Sequence, residues 1–269
     1  MRPPPPSLTR VLRVALFALL PVAARAQQPF VTDDADVTPR GHFHFEFGNE
    51  FDVLQRALYP GRFQNTADAE LDYGVWDGVE VGVEAPLLTV FNARGATPRR
   101  PTGLGDTNFS AKYNFRRERE GSRLPAMALS FNVELPTGSV RKQLGSGLAD
   151  YYLNGILQKS VGGRTKLRLN AGILFSGNET TGVLGVRSRG TVLTGGTSLV
   201  RQHTRRLSFG AELTGALTRD FQLSKGRLQT LVGGNYALRE NLTLDFGLVG
   251  GRFSASPRAG AQFGFSLDF

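Results

Sequence analysis

The sequence predicts an all-β fold, a transmembrane antiparallel up-and-down β-barrel of about 12 strands following a cleaved signal peptide. Three observations carry this: an export leader, two-residue alternation of apolar and polar side chains along most of the remaining chain, and a regular exchange of short and long connections.

The leader comes first. Arg2, Arg10 and Arg13 make a basic start, Val14 to Ala24 is apolar, and Ala24-Arg25-Ala26 supplies the small residues of a cleavage site. That apolar run has 11 residues and contains Pro21, whereas a spanning helix needs about 20. Residues 1–26 are therefore read as a signal peptide, with Gln27 starting the mature chain. Losing the leader's four arginines takes the formal net charge from +9 to +5. Much of that excess sits at positions read as loops (Arg94, Arg99, Arg100, Arg141, Lys142), facing either lipid headgroups or water. Nucleic-acid binding needs a basic stripe with stacking aromatics, and here the aromatics alternate along strands instead. The absence of cysteine excludes disulfides, thiolate chemistry and an N-terminal lipid anchor, and no later run is apolar enough for a spanning helix.

Residues 27–39 (QQPFVTDDADVTP) are acidic and without period, and read as an acidic periplasmic segment ahead of a barrel at 40–269. Strand candidates follow near 40–52, 62–75, 78–91, 104–116, 123–136, 148–161, 164–176, 188–202, 205–218, 226–238, 241–253 and 258–269. In the first, HFHFEF sets Phe43, Phe45 and Phe47 on one face and His42, His44 and Glu46 on the other. GVEVGVEAPLL (78–88) opposes Val79, Val81, Val83, Ala85 and Leu87 to Glu80 and Glu84. NFSAKYNF, TKLRLNAGILF, LSFGAELTGAL and LTLDFGL repeat the pattern. The stretches at 188–202 and 226–238 are rich in Gly and Thr, so their register is open.

Connection lengths decide the architecture. Trp76-Asp77, Gly162-Gly163, His203-Thr204 and Arg239-Glu240 are tight, while 53–61, 92–103, 137–147, 177–187 and 219–225 are long. A soluble sandwich explains alternation but not this rhythm. It also does not explain apolar faces almost free of central charge, which in lipid would cost about 2–4 kcal/mol per Arg or Lys at the midplane. The last strand, QFGFSLDF, is similar to the C-terminal assembly signal of outer-membrane barrels, through Gln262, Gly264, Leu267 and Phe269. Leu267 stands where an aromatic is common. Outer-membrane lipids and the assembly machinery are thus expected partners, and the outer membrane the expected location.

Several segments also resemble a known family. PFVTDDAD (29–36), GLGDTNFSAKYNF (103–115) and the hairpin LDYGVWDGVEVGVEAPL (71–87) are similar to the "putative MetA-pathway of phenol degradation" outer-membrane proteins. The resemblance implies a channel or transporter, for aromatic or other hydrophobic compounds, with no catalytic motif.

The inward face carries the candidate functional residues. Alternation turns His42, His44, Glu46, Glu50, Glu70, Asp72, Glu80, Glu84, Lys112, Glu134, Lys166, Arg168, Glu212 and Asp245 toward the lumen, nine carboxylates against three strong bases. These must meet water or pair with the bases. A barrel of about eight strands is filled and one of 16–18 leaves an aqueous channel, so twelve implies a narrow polar path. His42, His44, Glu46 and Glu50 could cradle a metal at strand spacing, or simply wet the lumen; no metal or cofactor is assigned. A lipid-cleaving barrel needs a Ser–His pair on its lipid face, and the strand histidines face inward instead. No Gly-x-Ser-x-Gly occurs, and Gly103-Leu104-Gly105 lacks the rest of a phosphate loop. The leading expectation is a non-enzymatic channel passing small molecules by diffusion through an acid-lined lumen. The alternative is a structural or surface-interaction barrel with a closed lumen, and an outer-membrane hydrolase ranks third.

Overall fold

A computed structural model describes residues 29–55, 61–93, 98–176, 190–217, 226–253 and 256–269, so the leader at 1–26 lies outside the described residues. The strands are β1 (Phe43–Val53), β2 (Phe63–Trp76), β3 (Val79–Phe91), β4 (Thr102–Leu104), β5 (Thr107–Arg116), β6 (Ala126–Leu135) and β7 (Asp150–Val161), then β8 (Thr165–Ser176), β9 (Gly190–Gln202), β10 (Leu207–Leu217), β11 (Arg227–Arg239), β12 (Leu242–Arg252) and β13 (Ala259–Asp268).

Strands pair antiparallel with their neighbours in chain order, except that β4 and β5 both pair with β3, and β1 pairs with both β2 and β13, so the wall closes. Closure is what lipid demands, since an open edge there leaves N–H and C=O groups without partners. At the seam Phe43 and Phe269 exchange backbone hydrogen bonds of 2.7 and 3.0 Å. The strand expected at 104–116 is cut in two. β4 pairs with Leu87–Thr89 of β3 and β5 with Val79–Glu84, and the break falls beside Pro86. Proline has no N–H to continue the ladder. Gly105 N–H still donates to the Pro86 carbonyl at 2.8 Å. The wall therefore has twelve strand positions, one of them split.

Six connections (54–62, 92–101, 136–149, 177–189, 218–226, 253–258) leave one rim and five (77–78, 117–125, 162–164, 203–206, 240–241) leave the other. By the usual rule the longer set is extracellular. The link at 253–258 joins the five long stretches already recognised. The 117–125 turn is longer than its counterparts and delays β6 to Ala126. Lys159 of β7 and the Ser160 N–H bind its Glu118 carboxylate. Slight burial would raise that carboxyl, but these two donors hold it below the ordinary range. Register shifts at Gly74/Trp76, Asn114/Arg116 and Ala237/Arg239 all lie at this rim, where bulges tighten the twist into short turns.

Polarity is inverted relative to a soluble protein. Tyr113 is 52% exposed while Lys112 beside it is 6% exposed. The two stretches of open register now resolve: Leu193, Leu199, Val232 and Tyr236 face outward, while Ser198 and Gln229 are buried inside. Phe43, Phe45 and Phe47 join an outward aromatic patch. Phe43 lies 4.7 Å from Tyr73 and 5.5 Å from Phe269, and Phe47 lies 5.7 Å from Phe265. Such pairs add about 0.5–1.5 kcal/mol each beyond their buried area.

Val83 lies near the middle of β3 and is 36% exposed on the outward face. Val83→Arg should lower the unfolding free energy of the barrel in lipid vesicles by about 2–4 kcal/mol. Glu84→Gln, one residue along, retains an acceptor for the Asn108 amide and should leave folding nearly unchanged. Equal losses would mean the two faces are misassigned.

Candidate functional site: the barrel lumen

The segment before β1 does not hang below the barrel. Residues 29–39 run through the lumen, with Thr32, Ala35 and Thr38 buried and Ala35 wholly so. The partners occur on strand after strand. Gln262 of β13 donates to the Pro29 carbonyl, and Glu212 of β10 accepts from the Val31 and Thr32 N–H groups. Asn170 of β8 brackets Asp33, accepting from its N–H at 2.8 Å and donating to its carbonyl at 3.0 Å. Glu80 of β3 accepts from the Thr38 N–H at 2.5 Å. A segment without its own secondary structure thereby finds wall partners for its backbone, the condition for burying it. Ala35 packs on Ala126, Ala128 and Ile156, an apolar step on the inward face of β6 and β7. At its end Arg40 bridges to Gly74 of β2, where a Cβ would stand 2.1 Å from the Pro39 carbonyl oxygen, so only glycine allows the chain so close.

Three ion pairs hold the segment across the lumen. Lys112 of β5 contacts Asp33 at 3.1 Å, and Arg168 and Lys166 of β8 contact Asp34 at 3.0 Å and Asp36 at 3.1 Å. The three lumenal bases were expected to face strand acids. Among the described residues, Glu80 is the strand acid in ion-pair contact with one of them, at 2.8 Å from the Lys112 ammonium. The aspartates of the segment take the rest because the bases project where it crosses.

The strand acids instead form an arc. Glu46, Glu70, Glu84, Asn108, Glu134 and Asp150 are successive register partners across β1, β2, β3, β5, β6 and β7. Among the described residues, Glu70, Glu84 and Glu134 have no cation within 4.0 Å. Glu84 accepts from Asn108 at 3.1 Å. Asp72, Glu212 and Asp245 are buried, Asp245 accepting from Asn235 at 2.6 Å, and Glu50 is half-buried on β1. His44 lies between Glu46 (2.8 Å) and Asp268 (2.6 Å). His42 departs from expectation: it precedes β1, is exposed, and its N–H turns back to the Pro39 carbonyl. It therefore cannot share a strand-spaced cradle with His44, and among the described residues no three His, Asp or Glu side chains are grouped to hold a metal. Of the C-terminal residues, Gln262 turns inward to the segment, Gly264 pairs with Gly48 and Asp245, Leu267 pairs with Phe45 and Leu242, and Phe269 closes the seam.

At the other rim, the 136–149 loop folds into the mouth. Asp106 accepts the Gly138 N–H at 2.8 Å and the Ser146 N–H at 2.9 Å, and Leu144 packs on the inward Leu88 and Val90. The sequence reading passed over Asp106, although it ends the Gly-Leu-Gly-Asp run that carried the resemblance. It also missed the lumenal role of Asp33, Asp34 and Asp36, for which an acidic run touching a base-containing barrel was the available signal.

A closed wall, apolar outside and charged inside, defines an integral β-barrel of the outer membrane. The chain belongs to the family described as "Putative MetA-pathway of phenol degradation", which matches residues 27–269. Its fold is similar to that of the COG4313 outer membrane channel from Pseudomonas putida F1, at 14% identity and TM-score 0.65 over 88% of this chain and 98% of that one. It is also similar to the NanC porin (8% identity, TM-score 0.56, 84% of this chain and 98% of that one). The KdgM porin gives 11% identity and TM-score 0.56 over 84% of this chain and 99% of that one. None of the curated proteins compared matches the sequence.

Lys112→Met would leave the buried Glu80 and the half-buried Asp33 without their shared cation. Breaking a buried pair from one side costs about 3–5 kcal/mol, so the urea midpoint of the purified barrel in detergent should fall clearly. An unchanged midpoint would show that this ammonium does not hold the segment to the wall.

Proposed function

We propose that this barrel is a passive channel for small solutes, in which the acidic arc favours cations and neutral hydrogen-bond donors over anions. The observation that carries the reading is the in-register row from Glu46 to Asp150, in which Glu70, Glu84 and Glu134 make no ion pair among the described residues while Lys112, Lys166 and Arg168 are engaged with residues 33–36 and Glu80. Rings of carboxylates act this way in cation channels, because their field replaces part of the hydration an ion gives up. The family description mentions phenol degradation. A small aromatic alcohol carries an O–H donor, and carboxylates are acceptors only, so an aromatic cargo and an acidic path are chemically compatible. The reading involves no covalent step. His44 is enclosed between two carboxylates, and His42 and His203 are exposed at the turn rim, so none supports a Ser–His pair on the lipid face.

In planar bilayers the wild type should pass cations over anions. Glu70→Gln/Glu84→Gln/Glu134→Gln should lose most of that preference while folding normally, because each side chain keeps its shape. Unaltered selectivity in the triple variant would sink the acidic-arc reading. The segment crossing the lumen favours a second reading, a structural barrel shut by residues 29–39. That reading expects a silent wild type at every salt concentration, with conductance appearing only when residues 29–38 are deleted. The open-channel reading expects both proteins to conduct, the deletion variant more.

A further inference from the structure

The two rims differ sharply in charge. The six long connections contain 12 Lys and Arg and only two acids, Glu179 and Asp220, whereas the five short ones contain six bases and four acids. An extracellular rim this basic faces the outer leaflet, and one sector of it is organised as a site on the outside of the wall.

There Phe51, Phe63 and Phe91 stand outward at the loop ends of β1, β2 and β3. Phe63 and Phe91 are register partners, and Phe51 lies 5.9 Å from one ring and 6.0 Å from the other. The Arg62 guanidinium sits over Phe63 at 5.1 Å and that of Arg100 over Phe91 at 4.6 Å. Two cations are thus stacked on neighbouring rings. Their backbones are pinned to the same strand end. Arg62 N–H donates to the Phe91 carbonyl at 3.0 Å, and Arg100 is bracketed by bonds from Ala93 to the Arg99 carbonyl (2.8 Å) and from Val90 to the Pro101 carbonyl (3.1 Å). Neither arginine has a carboxylate within 4.0 Å among the described residues, and their own loops, 54–62 and 92–101, contain no acid in sequence.

Stacking uses the face of a guanidinium and leaves its N–H edge free, and that edge matches phosphate in a bidentate fork. The outward aromatic level is where acyl chains give way to headgroups. We propose that Arg62 and Arg100 dock a phosphate group of the phosphorylated glycolipid of the outer leaflet, while Phe51, Phe63 and Phe91 lie against the start of its acyl region. The site lies outside the wall, so it stands whether or not the lumen conducts.

The test is native mass spectrometry of the full-length mature barrel, exchanged into detergent with bis-phosphorylated lipid A or with dephosphorylated lipid A. The wild type should retain the phosphorylated lipid as an adduct and the dephosphorylated one far less. Arg62→Gln/Arg100→Gln should retain about fivefold less of the phosphorylated lipid, the effect of losing two exposed charge-assisted contacts. Arg117→Gln/Arg119→Gln, at the opposite rim, should match the wild type. Equal retention of the two lipids by the wild type would overturn the proposal in favour of apolar adhesion, as would undiminished retention by the Arg62/Arg100 variant. Displacement of the lipid by millimolar inorganic phosphate alone would assign the site to free phosphate and overturn the lipid assignment. If the glutamine variant does not migrate as a heat-modifiable barrel, the two-lipid comparison on the wild type decides.

Discussion

The Lys112 ammonium is the contact on which the interior depends. Lipid outside the wall forces closure, closure sends every second side chain inward, and this base is nearly fully buried there. A buried charge persists only when paired, and Lys112 has Glu80 at 2.8 Å and Asp33 at 3.1 Å. It joins β3 and β5 to the segment at 29–39, and Arg168 and Lys166 join that segment to β8. The segment thus braces one side of the wall against the other. Its own backbone N–H groups are met by Glu212, Asn170 and Glu80, so the brace satisfies chain and wall together.

The same pairing shapes the electrostatics of the path. Lys112, Lys166 and Arg168 are engaged with residues 33–36 and Glu80, and Glu70, Glu84 and Glu134 make no ion pair among the described residues, so the level of the lumen at those three carboxylates is the more acidic. A strand number of twelve implies an intermediate bore, but two insertions define it further. One is the segment reaching in beside the turn rim; the other is the 136–149 loop, hung on Asp106 and pressing Leu144 against Leu88 and Val90. Cross-section here depends on what enters the barrel as much as on its circumference.

Charge is also divided along the axis. The acids concentrate inside and the bases at the extracellular rim, although the whole chain shows only a moderate excess of +9. Net charge alone hides this arrangement. On the lipid face at that rim, the rings of Phe63 and Phe91 hold arginines in a geometry that water-facing loops would not impose.

Alternation by itself determined the fold class, the twelve wall positions and the outward face of strands such as Val79–Phe91, because lipid acts on each residue locally with a period of two. Loop lengths likewise separated the rims. The split beside Pro86 did not show in the alternation, which predicts one strand over 104–116, although Pro86 lacks the N–H that a ladder uses. What only the tertiary structure decided is the placement of residues 29–39 and the partners of the lumenal bases. Val31 and Glu212 are 181 residues apart, and Asp34 and Arg168 are 134 apart. A segment without period shows no face to read. The groups that hold it come together only after twelve strand positions have closed into one wall, so its place was settled by long-range pairing of buried charge and not by any local preference of its residues.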